Sequence, residues 1–465
     1  MAQPEVQATR HGLTVAVIGA GAAGLAAAQR LVAAGLSAVV LEARDRIGGR
    51  VWTLHPESLA IPVELGPEFL HGSTPELDNV ARQAKLRIFD VPGRRFTVAR
   101  GKLRVMDDFF ERLDRVMGRL DESRTPDRSF AEALSRMRGV TPADRQLAVQ
   151  YVEGFHAAEP ALVSERALAE GGSPRDDMRE RRIGRVVEGY DHVINALAAS
   201  VLDRVQLGTT VNRIRWRKRH VEIETREQGS EESRTVEARA AIVTVPLGVL
   251  QMAPGAVGGI QFDPPIRDTQ RVAAKLVMGG VVRIAVQLDE PFWSDERFGK
   301  RAGEDRLDAL SFVQSSARVA FPVWWTAYPI RAPLLVGWRG GSGARDMARL
   351  DRDGIVFAAL DSLATVFGMT RRSVERHVVA MYTHDWINDP FSRGAYSYTG
   401  VGGDRASAQL ARPVEGTLFF AGEHADKEGR NGTVHGAISS GWDAADRVIE
   451  ALSRGGGTKA RAFRD

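Results

Sequence analysis

The 465-residue chain contains no cysteine. That absence removes disulfides, thiolate metal centres, cysteine nucleophiles and any cofactor tethered through a cysteine sulfur. No uninterrupted apolar run reaches the roughly 18 residues of a membrane-spanning helix. An excess of one charge is also missing: 63 Lys plus Arg stand against 59 Asp plus Glu, a net charge of +4. The local basic runs, Arg179 to Arg185 and Arg213 to Arg219, read as solvated faces rather than a polyanion site. Residues 1–12, MAQPEVQATRHG, lack the apolar stretch of a secretory signal. These absences lead us to expect a cytoplasmic protein that binds neither nucleic acid nor membrane and holds no metal, with its oligomeric state left open. The composition, 43% hydrophobic and 26% charged, is that of a globular protein long enough for several domain-sized units.

What is present is concentrated first in Thr14 to Val51. Val15, Val17 and Ile18 form a short apolar strand ending at Gly19, and Gly19-Ala-Gly21-Ala-Ala-Gly24 opens an alanine-rich helix. Strand, glycine turn and helix in this order make a dinucleotide-binding unit. Gly19 serves the tight turn, Gly21 the approach of a pyrophosphate, and Gly24 the close packing of helix on strand. Phosphate then meets the free N–H groups and dipole of the helix N-terminus. A second strand, Ser37 to Leu41, ends in Glu42, a carboxylate suited to a ribose diol and unsuited to a 2′-phosphate. Ala43 and Arg44 follow it, and Gly48-Gly49-Arg50 again pairs glycines with a guanidinium matched to phosphate oxygens.

Along the rest of the chain, Pro62 to Gly72 reads as a strand interrupted at Gly66, which marks a bulge or a close approach. From about Pro75 to Ser200 the pattern turns helical and charged, with Phe109, Leu113, Val116 and Leu120 at helical spacing. Strands return near 205–215, 221–225, 240–246 and 281–288, an aromatic-rich strand region spans 312–338, and helices are expected over 354–367 and 433–449. The expected fold is α/β: a Rossmann-type cofactor domain of discontinuous segments (1–80, 201–260 and 406–465). Interleaved with it is an α+β substrate domain, with a helical part at 81–200 and a sheet part at 261–405.

Seven segments resemble the flavin-containing amine oxidases, a family that includes polyamine oxidases, monoamine oxidases and lysine-specific demethylases. They are GAGAAGLAAA, LEARDRIGGRV, VELGPEFLHG, TVPLGVL, DEPFW, RGAYSY and FFAGEHADKEGRNGTVHGAISSG, in the family's order. TVPLGVL resembles the polyamine oxidase and demethylase branch. The resemblance implies FAD, held non-covalently since no cysteine is available. Gly19, Gly21, Gly24, Glu42, Ala43, Arg44, Gly49 and Arg50 would serve the ADP half. Gly66, Pro67 and Glu68 would lie along the flavin, Val211 near the adenine, and Gly422, Glu423, Thr433 and Val434 by the ribityl and pyrimidine.

The resemblance also supplies candidates around the reaction. Arg283 stands where the family usually places a lysine that aids reaction with oxygen, which implies slower reoxidation. Tyr396 matches one of two tyrosines that flank the substrate in monoamine oxidases, and Thr433 takes the place of the other. His71 and Glu68 are candidate substrate contacts, although Glu68 stands where the polyamine oxidase branch often has another residue type, and Glu159 matches only loosely. Trp324, Trp325, Phe321, Tyr328 and Trp338 form a possible aromatic lining. The implied activity is oxidation of a small-molecule amine to an imine, then a carbonyl product, with O2 reduced to H2O2. Three alternatives remain: an L-amino acid oxidase using Arg283 or Arg393 for the carboxylate, a flavin desaturase or dehydrogenase with little oxygen reactivity, and a flavin-binding scaffold without turnover.

Overall fold

A computed structural model of the chain describes residues 14–72, 74–92, 94–99, 102–171, 183–302 and 307–454. The expected glycine turn is present: strand β1, Val15–Ile18, runs into helix α1, Ala22–Ala33, and returns through strand β2, Ala38–Leu41. β1 lies at the centre of a five-stranded parallel sheet. Its neighbours are β2 and Ala240–Val243, and Val205–Gln206 and Leu418–Phe420 form the edges. All four residues of β1 are buried, as a parallel strand covered on both faces requires.

Alternation along β1 shows what covers each face. Val15 and Val17 pack with α1 and with the C-terminal helix Val434–Ser453, while Ala16 and Ile18 pack with Val211, Ile214, Val221 and Ile223. The latter four belong to a second sheet, in which Thr209–Arg217, His220–Glu227 and Ser233–Ala238 are antiparallel and Gln261–Asp263 joins in parallel.

A seven-stranded mixed sheet forms the other main layer. Its order is Val378–Thr383, Val281–Leu288, Leu334–Gly340, Val323–Thr326, Leu310–Ser315, Arg94–Ala99 and Lys102–Val105. The helices Phe109–Met117, Phe130–Arg136, Pro142–Phe155 and Glu165–Glu170 gather around a separate core that includes Leu113, Phe130 and Val152.

Three expectations need revision. Segment 81–200 is not only helical, because Arg94–Ala99 and Lys102–Val105 extend the large sheet; their alternation is short and flanked by charge, so the helical period downstream masked it. Its last helix, Tyr190–Ala198, packs through Tyr190, Val193, Ile194 and Leu197 on the nucleotide sheet's core. Strand Gln261–Asp263 pairs with Arg213–Arg215, across the expected boundary at 260. No helix among the described residues is long and apolar enough to cross a membrane.

Candidate active site

Between the sheets runs one elongated cavity of about 880 Å³. It starts at the turn after β1, passes the N-terminus of the C-terminal helix and ends among aromatic side chains of the seven-stranded sheet and the helix Pro142–Phe155. The expected cofactor-binding residues other than Gly24 line it, as do Arg283, Tyr396 and His71.

At the first end, Gly19 has φ +104°, and a Cβ at Gly24 would sit 1.9 Å from the Gly19 carbonyl oxygen. Gly24 therefore acts by packing, which accounts for its distance from the cavity. A Cβ at Gly21 would meet nothing within 4 Å, so here the chain leaves open space beside free helix N–H groups. Glu42 accepts hydrogen bonds from the backbone of Ala20 (2.7 Å) and Arg44 (2.9 Å). Burial raises its carboxyl above the usual range, and each oxygen retains a lone pair for a diol. Gly48 and Gly49 also reach this end of the cavity, beside Ala43.

The two arginines of this segment are committed within the protein. Arg44 makes a bidentate pair with Asp389, 2.8 Å on both oxygens, and also donates to Ser392. Burial alone would raise Asp389, but the hydrogen bonds from His384 and Arg44 hold its carboxyl far below the usual range. Arg50 donates to Glu423 Oε1 (2.8 Å) and to the Ala395 carbonyl. Glu423 Oε2 accepts from the Ser397 hydroxyl and the Gly432 backbone. Despite its burial, Glu423 is thus held down at about 2, with Arg50 the chief cause. It ties together the strand at 397, the loop at 432 and Arg50. Asp389, Ser392 and His384 carried no sequence motif and were missed.

Gly66 explains itself by packing: a Cβ there would lie 2.0 Å from the Arg50 carbonyl, so the close approach is to backbone. Thr433 caps the C-terminal helix. Its hydroxyl accepts from the Gly436 N–H (3.0 Å) and donates to the Arg430 carbonyl (2.8 Å). With its proton given to Arg430 and one lone pair to Gly436, that hydroxyl serves the helix cap, and the cap leaves first-turn N–H groups without intrahelical partners beside the cavity.

Deeper in, Glu68 is the hub of a buried charge cluster. Its Oε1 accepts from Arg185 Nε (2.7 Å), and its Oε2 accepts from Arg283 Nη2 (2.5 Å) and Trp325 Nε1 (2.9 Å). Arg185 also donates to the carbonyls of Thr326 and Tyr328 and lies over the Phe69 ring. Burial would raise the Glu68 carboxyl, but the two guanidinium groups outweigh it and hold it below the usual range. Arg283 is 4% exposed, stacks on Trp325, and its Nε has no partner among the described residues. Arg185 belongs to a run read as a solvated face; it is buried instead, and residues 179–182 of that run lie outside the described residues.

Tyr396 donates to the Phe155 carbonyl (2.8 Å), and burial raises its phenol above the usual range. The His71 ring meets Phe155 edge-on at 5.0 Å, and burial lowers it to about 4, so it is neutral near pH 7. The aromatic cluster divides by strand alternation: Trp324 and Phe321 fill the core, while Trp325 and Trp338 line the cavity. Glu159 does not reach it and pairs with Arg345 (2.9 Å). Arg393 is also outside it, donating to the Val257 carbonyl. Away from the cavity, His55, Asp191 and His192 bring potential metal ligands within 4.8 Å at the surface, where His55 already bonds Asp191.

Residues 22–449 match the family model described as flavin containing amine oxidoreductase. The chain is similar to polyamine oxidase 3 of Oryza sativa subsp. japonica, 28% identical over 96% of this chain and 92% of that protein. It is also similar to lysine-specific histone demethylase 1 homolog 3 of Arabidopsis thaliana, 27% identical over 95% of this chain and 30% of that protein. Among solved structures, cyclohexylamine oxidase from Brevibacterium oxydans IH-35A has TM-score 0.77 at 21% identity, covering 95% of this chain and all of that one. Putrescine oxidase bound to putrescine has TM-score 0.76 at 22% identity, covering 94% and 99%.

Proposed function

The chain belongs to the flavin containing amine oxidoreductases and is an FAD-dependent amine oxidase, and on that premise we propose how its cavity divides the work. The observation that carries the proposal is the continuity of one cavity from the open space at Gly21 to the aromatic wall at Tyr396 and His71. Open space beside a helix N-terminus suits a pyrophosphate, and the free lone pairs of Glu42 suit a ribose. The residues present fit FAD.

In this reading Gly19, Gly21, Ala43, Arg44, Gly49 and Arg50 surround the ADP half non-covalently, Val211 lies by the adenine, and Gly24 holds α1 in place. Gly66, Pro67, Glu68, Gly422, Glu423, Thr433 and Val434 border the flavin half. The cofactor domain is assembled from 1–80, 201–260 and 406–465, with Tyr190–Ala198 added. FAD, when bound, supplies a two-electron acceptor for the hydride on the carbon beside the amine nitrogen, leaving an imine that water hydrolyses to a carbonyl compound and an amine.

The chain's own groups orient rather than react. Tyr396 is fixed by its bond to Phe155, so its ring offers a rigid wall to the amine. Neutral His71 accepts a hydrogen bond from a neutral amine N–H without adding a repelling charge. The helix dipole at Val434 and the surplus guanidinium of Arg283 favour negative charge that accumulates on reduction. Dioxygen takes up the two electrons and two protons to give H2O2, in the cytoplasm.

Anaerobic stopped-flow mixing of the FAD-loaded protein with amines, followed by air and a peroxide assay, tests this. Bleaching that accelerates as the substrate ammonium deprotonates is expected. Reduction without peroxide on aeration would favour the dehydrogenase alternative.

A further inference from the structure

The cavity's acids among the described residues are all hydrogen-bonded already. Those lining it are Glu42, Glu68 and Glu423, bonded respectively to backbone N–H groups, to two arginines and a tryptophan, and to Arg50 and its neighbours. Among the described residues, a dication entering the substrate end would find no free carboxylate.

One cation there is in the opposite condition. Arg95 lines the cavity, and its guanidinium lies 4.9, 5.2 and 4.6 Å from the ring centroids of Phe109, Phe110 and Phe312. Among the described residues no carboxylate pairs with it. Burial lowers it only to about 10, so it is charged at neutral pH. A half-buried guanidinium braced by three rings, with its fork unspent among the described residues, suits a planar anion.

Its position sets the distance to the reacting end. Arg95 pairs in register with Phe312, and Phe312 with Trp325. The Phe312 and Trp325 centroids are 6.1 Å apart, and Trp325 meets Arg283 at 5.3 Å. Arg95 and Arg283 are four strand steps apart in the sheet, roughly 19 Å between backbones at the usual spacing. On the opposite wall, Tyr396 bonds Phe155, and Tyr151 stacks on Phe155 one helical turn further toward Arg95. The anion seat is therefore several carbon–carbon bonds from the amine.

Resting on the amine-oxidase reading above, we propose that the substrate is an amine carrying a carboxylate at its far end, with Arg95 as the residue that binds it. An α-amino acid does not satisfy this geometry, because its carboxylate adjoins the carbon that is oxidised. Nor does a polyamine, whose distal ammonium would face Arg95.

The test uses the FAD-loaded protein and anaerobic reduction by 6-aminohexanoate and 8-aminooctanoate, compared with hexylamine, 1,6-diaminohexane and L-leucine. The ω-amino acids should exceed the alkylamine in kcat/KM by about 10- to 100-fold, the usual worth of a charge-assisted hydrogen bond, and the diamine by more. R95Q should lower the ratio of aminohexanoate to hexylamine by the same factor. It should also weaken binding of unreactive hexanoate, read from the flavin spectrum, while R95K restores part of both. Faster reduction by the diamine or by L-leucine, or an unchanged ratio in a flavin-loaded R95Q, overturns the proposal and leaves amine oxidation standing. Bleaching by none of the five amines overturns both.

Discussion

Removing either end of the Glu68–Arg283 bond should have unequal consequences, because one carboxylate there serves two guanidinium groups. In E68Q, Arg185 and Arg283 lose the one carboxylate that forms an ion pair with either of them among the described residues, while 7% and 4% exposed. Stranding a buried charge in this way costs about 3–5 kcal/mol. In R283M the balanced Glu68–Arg185 pair survives, Trp325 still donates to Oε2, and the methionine stem occupies much of the vacated space, so the cost is about 1 kcal/mol or less. Unfolding entropy of about 2.1 cal/mol/K per residue gives roughly 1 kcal/mol/K for a chain of this length unfolding as one unit. E68Q should then melt about 3–5 °C below the parent and R283M within about 1 °C of it. Calorimetry should be run at one saturating FAD concentration, since bound cofactor adds to apparent stability. Equal losses in the two variants, or a harmless E68Q, would refute the reasoning that Arg283 is a surplus charge kept for the site rather than for the fold.

Two further outcomes follow from the same geometry. G24A, whose Cβ meets the Gly19 carbonyl at 1.9 Å, should cost at least about 1–3 kcal/mol of stability. G21A, with open space around the added methyl, should leave the melting of the apoprotein within about 0.5 kcal/mol of the parent and weaken FAD binding at least about tenfold; equal effects of the two variants on apoprotein melting would contradict this division. Acid should also destabilise the protein. Burial lowers His71, His156 and His424 to about 4. Between pH 6.5 and 4 the unfolded chain therefore binds more protons than the folded one, and stability falls as pH falls through that window, by roughly 3 kcal/mol for the 1%-exposed His424 alone. Below 4.5, Glu423, held at about 2, adds a further loss. A melting temperature that is flat from pH 7 to 5 would count against buried neutral imidazoles.

The nucleotide-binding half was legible in the sequence because its determinants are local. Gly19, Gly24 and Glu42 act through a turn, a helix start and a strand end within thirty residues, and the period of the apolar positions changes from two to helical where the structure does. The partners of those residues were not legible. Arg44 reads as a phosphate ligand beside its glycines, but its bidentate carboxylate, Asp389, is 345 positions away. Arg185 sits in a charged run that looks solvated, and only the crossing of the strand at 183–186 past Glu68 makes it a buried counter-ion. The aromatic residues of 321–338 were visible as a group, yet strand alternation divided Trp324 to the core from Trp325 to the cavity. Arg95 had no motif at all. The sequence by itself determined the family, the flavin and the α/β frame, since these rest on short-range backbone geometry. Which charges are paired and which is left facing the cavity was decided only by the tertiary structure, because an ion pair in a folded core joins segments that no spacing rule connects.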